Sequence, residues 1–126
     1  MTTTLEHTNL TVRDPKATAD ILCDLFGWHI RWQGASKGDG FSVHVGTDDS
    51  YLALYAPATA PTNGPSSYDT VGGLNHLGVI VDDLDAIEAK VIAAGFTPNS
   101  HADYEPGRRF YFDDQDGIEY EVVQYD

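Results

Sequence analysis

The chain has 126 residues, with 7 Lys+Arg against 20 Asp+Glu and a formal net charge of −13. That length suits one small domain with a core of its own, and that charge argues against partners with phosphate backbones or anionic membrane surfaces. No apolar run approaches the ~20 residues that a membrane helix needs. The opening Met1-Thr2-Thr3-Thr4 has neither positive charge nor a following apolar stretch, so no leader peptide is expected. The single cysteine, Cys23, cannot form an internal disulfide, which suits a reducing cytoplasm.

In chain order, His7 to Val12 alternates polar and apolar residues and reads as a half-buried strand. Asp14 then sits as a helix N-cap with Pro15 at the first helical position, where the missing N–H is harmless. Ile21, Leu22, Leu25 and Phe26 make one apolar helix face, and Gly27 can take the left-handed conformation that ends the helix. Cys23 lies near that face and reads as a packed thiol. Strands are expected at Trp28 to Gln33, Gly40 to Val45 and Tyr51 to Tyr55, with Asp48-Asp49-Ser50 turning the last two into a hairpin. Ala56 to Gly73, rich in Pro, Gly, Ser and Thr, reads as a linker.

From His76 the pattern starts again, with a strand and a helix striped by Leu84, Ile87, Val91 and Ala94 and closed by Gly95. Phe96 to Pro98 is a weak strand candidate, and Asn99 to Gly107 reads as a polar loop flanking a cavity. Arg109 to Phe112 and Tyr120 to Gln124 are strands, with Asp116-Gly117 as the turn signal between them.

The two halves echo each other. HTNLTVRDPKATADILCDLFGW from His7 and HLGVIVDDLDAIEAKVIAAGF from His76 align at an offset of 69, matching His7 with His76, Val12 with Val81, Asp14 with Asp83 and Ala17 with Ala86. At an offset of 68, Gly27 falls on Gly95 and Ala53 on Glu121. Two histidines opening equivalent strands, with Glu121 in a matched slot of the last strand, form a candidate trio for one metal ion. Two imidazoles and a carboxylate suit Fe, Mn, Zn or Ni as the divalent ion. Three protein ligands leave positions open for water or substrate.

The pattern of His, strand, Asp-Pro, helix and Gly in the first half resembles the vicinal oxygen chelate module of the glyoxalase, bleomycin resistance and extradiol dioxygenase superfamily. Phe110-Tyr111-Phe112-Asp113-Asp114-Gln115-Asp116-Gly117-Ile118-Glu119-Tyr120-Glu121 resembles that family's closing signature, with Gln115 in place of the usual Pro and Ile118 in place of the usual Asn. The resemblance covers nearly the whole chain outside the linker. It implies an α+β fold of two βαβββ modules in a cupped, mostly antiparallel sheet with helices outside. Module one would span about 5–56, the linker about 57–73 and module two about 74–126.

The resemblance also aligns Glu121 with the family's metal-binding glutamate, while Glu119 shares its strand face. The four ligand slots correspond to His7, Ala53, His76 and Glu121. Ala53 cannot coordinate or take a proton, which argues against strict glyoxalase I chemistry. The ligand set is closer to that of extradiol dioxygenases and fosfomycin-modifying thiol transferases, the latter needing cations of which Arg108 and Arg109 are the best candidates. The family's one-domain members imply a homodimer, with His7 from one subunit and His76 with Glu121 from the other.

Acid–base candidates for such an enzyme are Tyr111 and His44, with Tyr51 and His101 as further options. Candidates for substrate contact are His101, Arg109, and Trp28 with Trp32, which share a strand face by parity and offer a stacking surface for a flat ligand. The expected function is a divalent-metal-dependent small-molecule enzyme of the dioxygenase or lyase type. The alternative is metal-free sequestration of a cationic drug, as in bleomycin-binding relatives, with which the net charge is consistent.

Overall fold

The computed structural model describes residues 2–126; Met1, the first residue of the opening read above as lacking a leader, lies outside them. The chain divides at Thr62/Asn63 into two compact units. Each unit holds one copy of the same βαβββ module. In the first, β1 (His7–Thr11), α1 (Pro15–Phe26), β2 (His29–Ser36), β3 (Gly40–Gly46) and β4 (Tyr51–Ala56) follow in order. In the second they are β5 (Leu77–Ile80), α2 (Leu84–Ala93), β6 (Asn99–Tyr104), β7 (Gly107–Asp113) and β8 (Glu119–Tyr125).

The sheets have matching topology, β1-β4-β3-β2 and β5-β8-β7-β6. In each, the first strand pairs in parallel with the last and the other two pairings are antiparallel. The sheets are therefore mixed but mostly antiparallel, and the fold class is α+β as the resemblance implied.

Both helices begin on an aspartate whose carboxylate accepts from the backbone three residues on, Asp14 from Ala17 N and Asp83 from Ala86 N, each at 3.1 Å. Gly27 ends α1 in the left-handed region at φ 71°, its N–H donating to the Cys23 carbonyl. After α2, Gly95 N and Phe96 N donate to the Ile92 and Val91 carbonyls, the paired bonds of a Schellman stop.

In the first unit α1 packs Ala19, Leu22 and Leu25 onto Val43, Val45, Leu52 and Leu54 of β3 and β4, and all seven are buried. In the second, Leu84 and Val91 of α2 are buried with Phe110, Phe112, Tyr120 and Val122. Full burial of one such side chain is worth about 1.5–3 kcal/mol. Cys23 is half-buried, and burial with Asp20 and Asp24 nearby pushes its thiol pKa up, in keeping with a packed rather than a reactive thiol.

Three sequence expectations are corrected. Phe96 to Pro98 forms no strand. Instead Asn99–Tyr104, expected as the start of a polar loop, is an edge strand on β7, with Ala102 opposite Arg109 and Tyr104 opposite Gly107. Its side chains are mostly polar because nearly all of them are exposed, and Ser100 sits at φ 54° where the register shifts. The third concerns β2. Ile30 faces Val45 and Trp32 faces His44, two steps on β2 against one on β3. This bulge reverses the alternation, so Trp28 and Trp32 do not share a face.

Candidate active site

Register assigns every strand side chain to the helix-packed face or to the opposite, open face. Leu52 and Leu54 face α1, so Tyr51, Ala53 and Tyr55 line the open face of β4. Their partners His7 and Asn9 on β1, and His44 and Ser42 on β3, share it. In the second unit Tyr120 and Val122 face the core, so Glu119 and Glu121 line the open face of β8. Tyr111, opposite Glu121, and Arg109, opposite Val123, join them.

The register reproduces the sequence repeat. Asn9 pairs with Ala53 and Gly78 with Glu121, so Ala53 and Glu121 hold equivalent slots. His44 pairs with Ala53 and Tyr111 with Glu121, which makes His44 and Tyr111 equivalents as well.

In the first unit His7 stacks on Tyr51 (centroids 4.9 Å apart), Tyr51 on His44 (4.7 Å), and His44 against Trp32 (5.0 Å). The Arg31 guanidinium lies over the Tyr51 ring at 4.4 Å and donates to the Thr47 carbonyl. Arg31 and Trp32 meet open-face side chains from adjacent positions, which the bulge permits. The His7 Nδ1–H donates to Glu6 Oε1 at 2.9 Å, leaving Nε2 with its lone pair in the neutral ring. That bond holds the Glu6 pKa below its ordinary value. Burial first, then the charges of His7 and Arg31, lower the pKa of His44. Burial and Glu6 raise that of Tyr51.

In the second unit His76 lies between two carboxylates. Its Nε2 is 3.2 Å from Glu121 Oε1, and its Nδ1 is 3.5 Å from Glu119 Oε2. Glu121 Oε2 accepts from Arg109 Nη1 at 2.8 Å, and Arg109 also donates to the Gly107 carbonyl and caps the Tyr104 ring at 4.3 Å. Tyr111 meets the His76 ring edge-on. Burial and the Glu121 carboxylate raise the Tyr111 phenol pKa, so it stays protonated at neutral pH. Asp113, beside Glu119, is likewise raised, mainly by burial.

The structure thus brings His76, Glu121, Arg109 and Tyr111 together on one sheet face. It gathers His7, His44 and Trp32 on the matching face of the other unit. Two expected substrate contacts lie elsewhere. Trp28 packs against Phe26 at the end of α1, on the helix side. His101 lies on β6 rather than in a covering loop; its ring faces Phe110 and its Nε2 is 2.8 Å from Glu88 of α2. Arg108 also turns to the helix side, 3.3 Å from Asp85, so Arg109 alone of the adjacent pair reaches the carboxylate site.

Sequence reasoning missed three contributors. Glu6 was readable only as the neighbour of His7. Glu119 shares a face with Glu121 by strand alternation, but its contact to His76 has no sequence signal. Tyr68 lies in the 3-10 turn Ser67–Asp69, inside the Pro-, Gly-, Ser- and Thr-rich segment between the modules, and its hydroxyl donates to Glu119 Oε2 at 2.6 Å. No sequence signal marked it. Among the described residues, no group of three or more His, Cys, Asp or Glu side chains is arranged to hold a metal ion. The second unit by itself supplies two of the three candidate ligands, and their donor atoms face each other.

Residues 4–122 match the Glyoxalase/Bleomycin resistance protein/Dioxygenase superfamily, and the chain belongs to that family. Membership implies binding of a small molecule. Among solved structures, a glyoxylase/bleomycin resistance protein/dioxygenase domain from Frankia sp. EAN1pec is 21% identical with a TM-score of 0.83, covering 100% of this chain and 94% of that one. The fosfomycin resistance protein FosX from Mesorhizobium loti is 20% identical (TM-score 0.70, 98% and 92% covered). FosX from Listeria monocytogenes, solved with Mn(II) and sulfate, is 17% identical (TM-score 0.73, 100% and 95% covered). These likenesses show the shared fold. No curated protein matches the sequence, and no helix is long and apolar enough to cross a membrane.

Proposed function

We propose that this chain is a divalent-metal-dependent enzyme of the glyoxalase/dioxygenase type, with His7, His76 and Glu121 as ligands. The observation that carries the reading is the repeated backing of the two histidines. His7 Nδ1 is bonded to Glu6, and His76 Nδ1 faces Glu119. A carboxylate behind one ring nitrogen orients the other toward a metal and raises its basicity. On His76 that other nitrogen already faces Glu121 Oε1. The donor chemistry fits Fe, Mn, Zn or Ni, and the Mn(II) in Listeria FosX supports an ion of this class.

When bound, the ion would act as a Lewis acid toward two neighbouring oxygens of the substrate. Arg109 fixes the carboxylate plane of Glu121 by holding Oε2, which leaves Oε1 for the ligand role. Tyr111, its proton retained, is positioned as a hydrogen-bond or proton donor beside His76. His44, kept neutral by its lowered pKa, is suited to accept a proton. Ala53 supplies no fourth ligand, so the reading favours dioxygenase or lyase chemistry over a glyoxalase I reaction.

In this reading residues 5–56 and 74–126 are modules of one domain, working as a homodimer in the cytoplasm with His7 contributed by one copy and His76 with Glu121 by the other. Elemental analysis of untagged protein tests the metal assignment. About one divalent ion per chain is expected, reduced in His76→Ala and Glu121→Ala. Protein that carries no stoichiometric metal, and gains none on soaking with Mn²⁺, Fe²⁺, Zn²⁺ or Ni²⁺, would end it.

A further inference from the structure

We propose that the open face of the first module binds a planar organic acid, its ring against Trp32 and its carboxylate beside Lys37. The proposal deepens the small-molecule enzyme reading above and rests on it only for the location of the substrate. A cleft of about 430 Å³ lies on this face, lined by Trp32, His44, Asn9, Lys37 and Tyr55. That volume falls within the range of small-molecule sites.

The aromatic part of the lining is braced. Trp32 remains 47% exposed although it is one of the largest apolar side chains in the chain. Its ring leans on His44, which is stacked in turn on Tyr51 and His7. An indole held open at the edge of such a stack presents a ready face for a flat ligand, and ring stacking adds to the gain from burial alone.

The formal charge of the lining is positive. Lys37 is the only formally charged residue lining the cleft, in a protein with 20 acidic and 7 basic side chains. Among the described residues no carboxylate pairs with it. Its backbone is fixed, because the Tyr55 hydroxyl donates to the Lys37 carbonyl at 2.9 Å. Ser36 and Ser42 also line the cleft, their hydroxyl oxygens 2.8 Å apart. One hydroxyl donates to the other, and the acceptor keeps its own hydrogen for a ligand oxygen.

An ammonium, a free hydroxyl donor and the Asn9 amide together suit a carboxylate better than a cation. The net charge of the whole protein, taken alone, points the other way. The acids responsible for it lie outside this cleft, and local charge decides which ligand enters.

Calorimetric titration of the untagged full chain, as purified and after chelator treatment, tests the proposal with three probes. Benzoate carries ring and carboxylate, benzamidine the same shape with positive charge, and acetate the charge without the ring. Benzoate is expected to bind at one site at least tenfold more tightly than either control. Lys37→Met and Trp32→Leu should each weaken it about tenfold, with metal content unchanged. Undetectable benzoate binding, benzamidine binding as tightly, or Lys37→Met leaving benzoate affinity within twofold would each overturn the assignment. Selective benzoate binding by protein that takes up no metal would sink the metal reading alone. Metal uptake without that selectivity would sink this one alone.

Discussion

The Tyr68 hydroxyl donates to Glu119 Oε2 at 2.6 Å and lies 3.3 Å from His76 Nδ1. A residue from the segment between the modules therefore completes the surroundings of a candidate ligand. The bond to Glu119 pushes the Tyr68 phenol up to about 12. The neutral phenol is the form the fold favours, so Tyr68 supports stability fully below its ordinary value near 10 and loses that contribution as pH rises toward 12. Ultraviolet titration should show a late-ionising phenol in the native protein that disappears in Tyr68→Phe. An identical titration curve for the variant, less one ordinary phenol, would contradict the bond.

His44 gives a pH dependence of the opposite hand. Its pKa is lowered in the folded chain, so the unfolded chain takes up this proton first as pH falls through about 6.5. Stability should decline from that point down to the folded pKa of His44. His44→Phe keeps a ring between Trp32 and Tyr51 but cannot take a proton. Urea midpoints measured at several pH values should fall less steeply for the variant between neutrality and pH 5. Equal slopes for both proteins would refute the shift.

Much of this arrangement was legible in the sequence, because it rests on local signals. Asp14-Pro15, Asp83, Gly27 and Gly95 mark the helix ends through backbone chemistry that any context preserves. The matched His7 and His76 reveal the repeat, and Gly27 with Gly95 then sets the offset by which Ala53 and Glu121 become equivalent, in agreement with the strand register. The bulge at Arg31 was not legible. It depends on β2 slipping against β3, and parity counted along β2 alone placed Trp28 on the wrong face. Strand β6 was hidden because an edge strand with polar side chains shows no hydrophobic alternation. The fold, and not the local pattern, holds His101 against Glu88.

Asp114 organises the turn before β8. Its buried carboxylate accepts from Asp116 N at 2.9 Å, Ile118 N at 3.0 Å and the Tyr120 hydroxyl at 3.2 Å. Burial raises its pKa, against the pull of those bonds. Asp114→Ala would remove the carboxylate to which the buried Tyr120 hydroxyl donates and release two backbone donors, a loss of about 2–3 kcal/mol. Asp114→Asn keeps one acceptor oxygen and should fall between. Denaturant unfolding that ranks alanine no worse than asparagine would rule out this role.

Gly107 opens β7 where the chain passes close to β8. A Cβ there would collide with the Gln124 carbonyl and crowd Tyr125. Gly107→Ala should cost about 1–3 kcal/mol through displaced backbone, read as a lower midpoint with an unchanged slope. Because this strand also carries Arg109, its displacement should loosen the bond to Glu121. Two-dimensional NMR would then show resonance shifts reaching Glu121, and shifts confined to positions 105–108 would argue for a purely local adjustment.

The matched registers also bear on how such a protein can change. Every location on the open face occurs twice, once beside His7 and once beside His76, yet the occupants have diverged: Tyr51, Ala53 and His44 in one copy, Glu119, Glu121 and Tyr111 in the other. The ionic half is interlocked through Glu121, which contacts both Arg109 and His76, so altering it disturbs both. The aromatic half is looser in its chemistry. If the proposed ligand site holds, evolution or a designer could vary which compound is admitted by redrawing Trp32, Lys37 and their neighbours, while the ionic cluster is inherited intact.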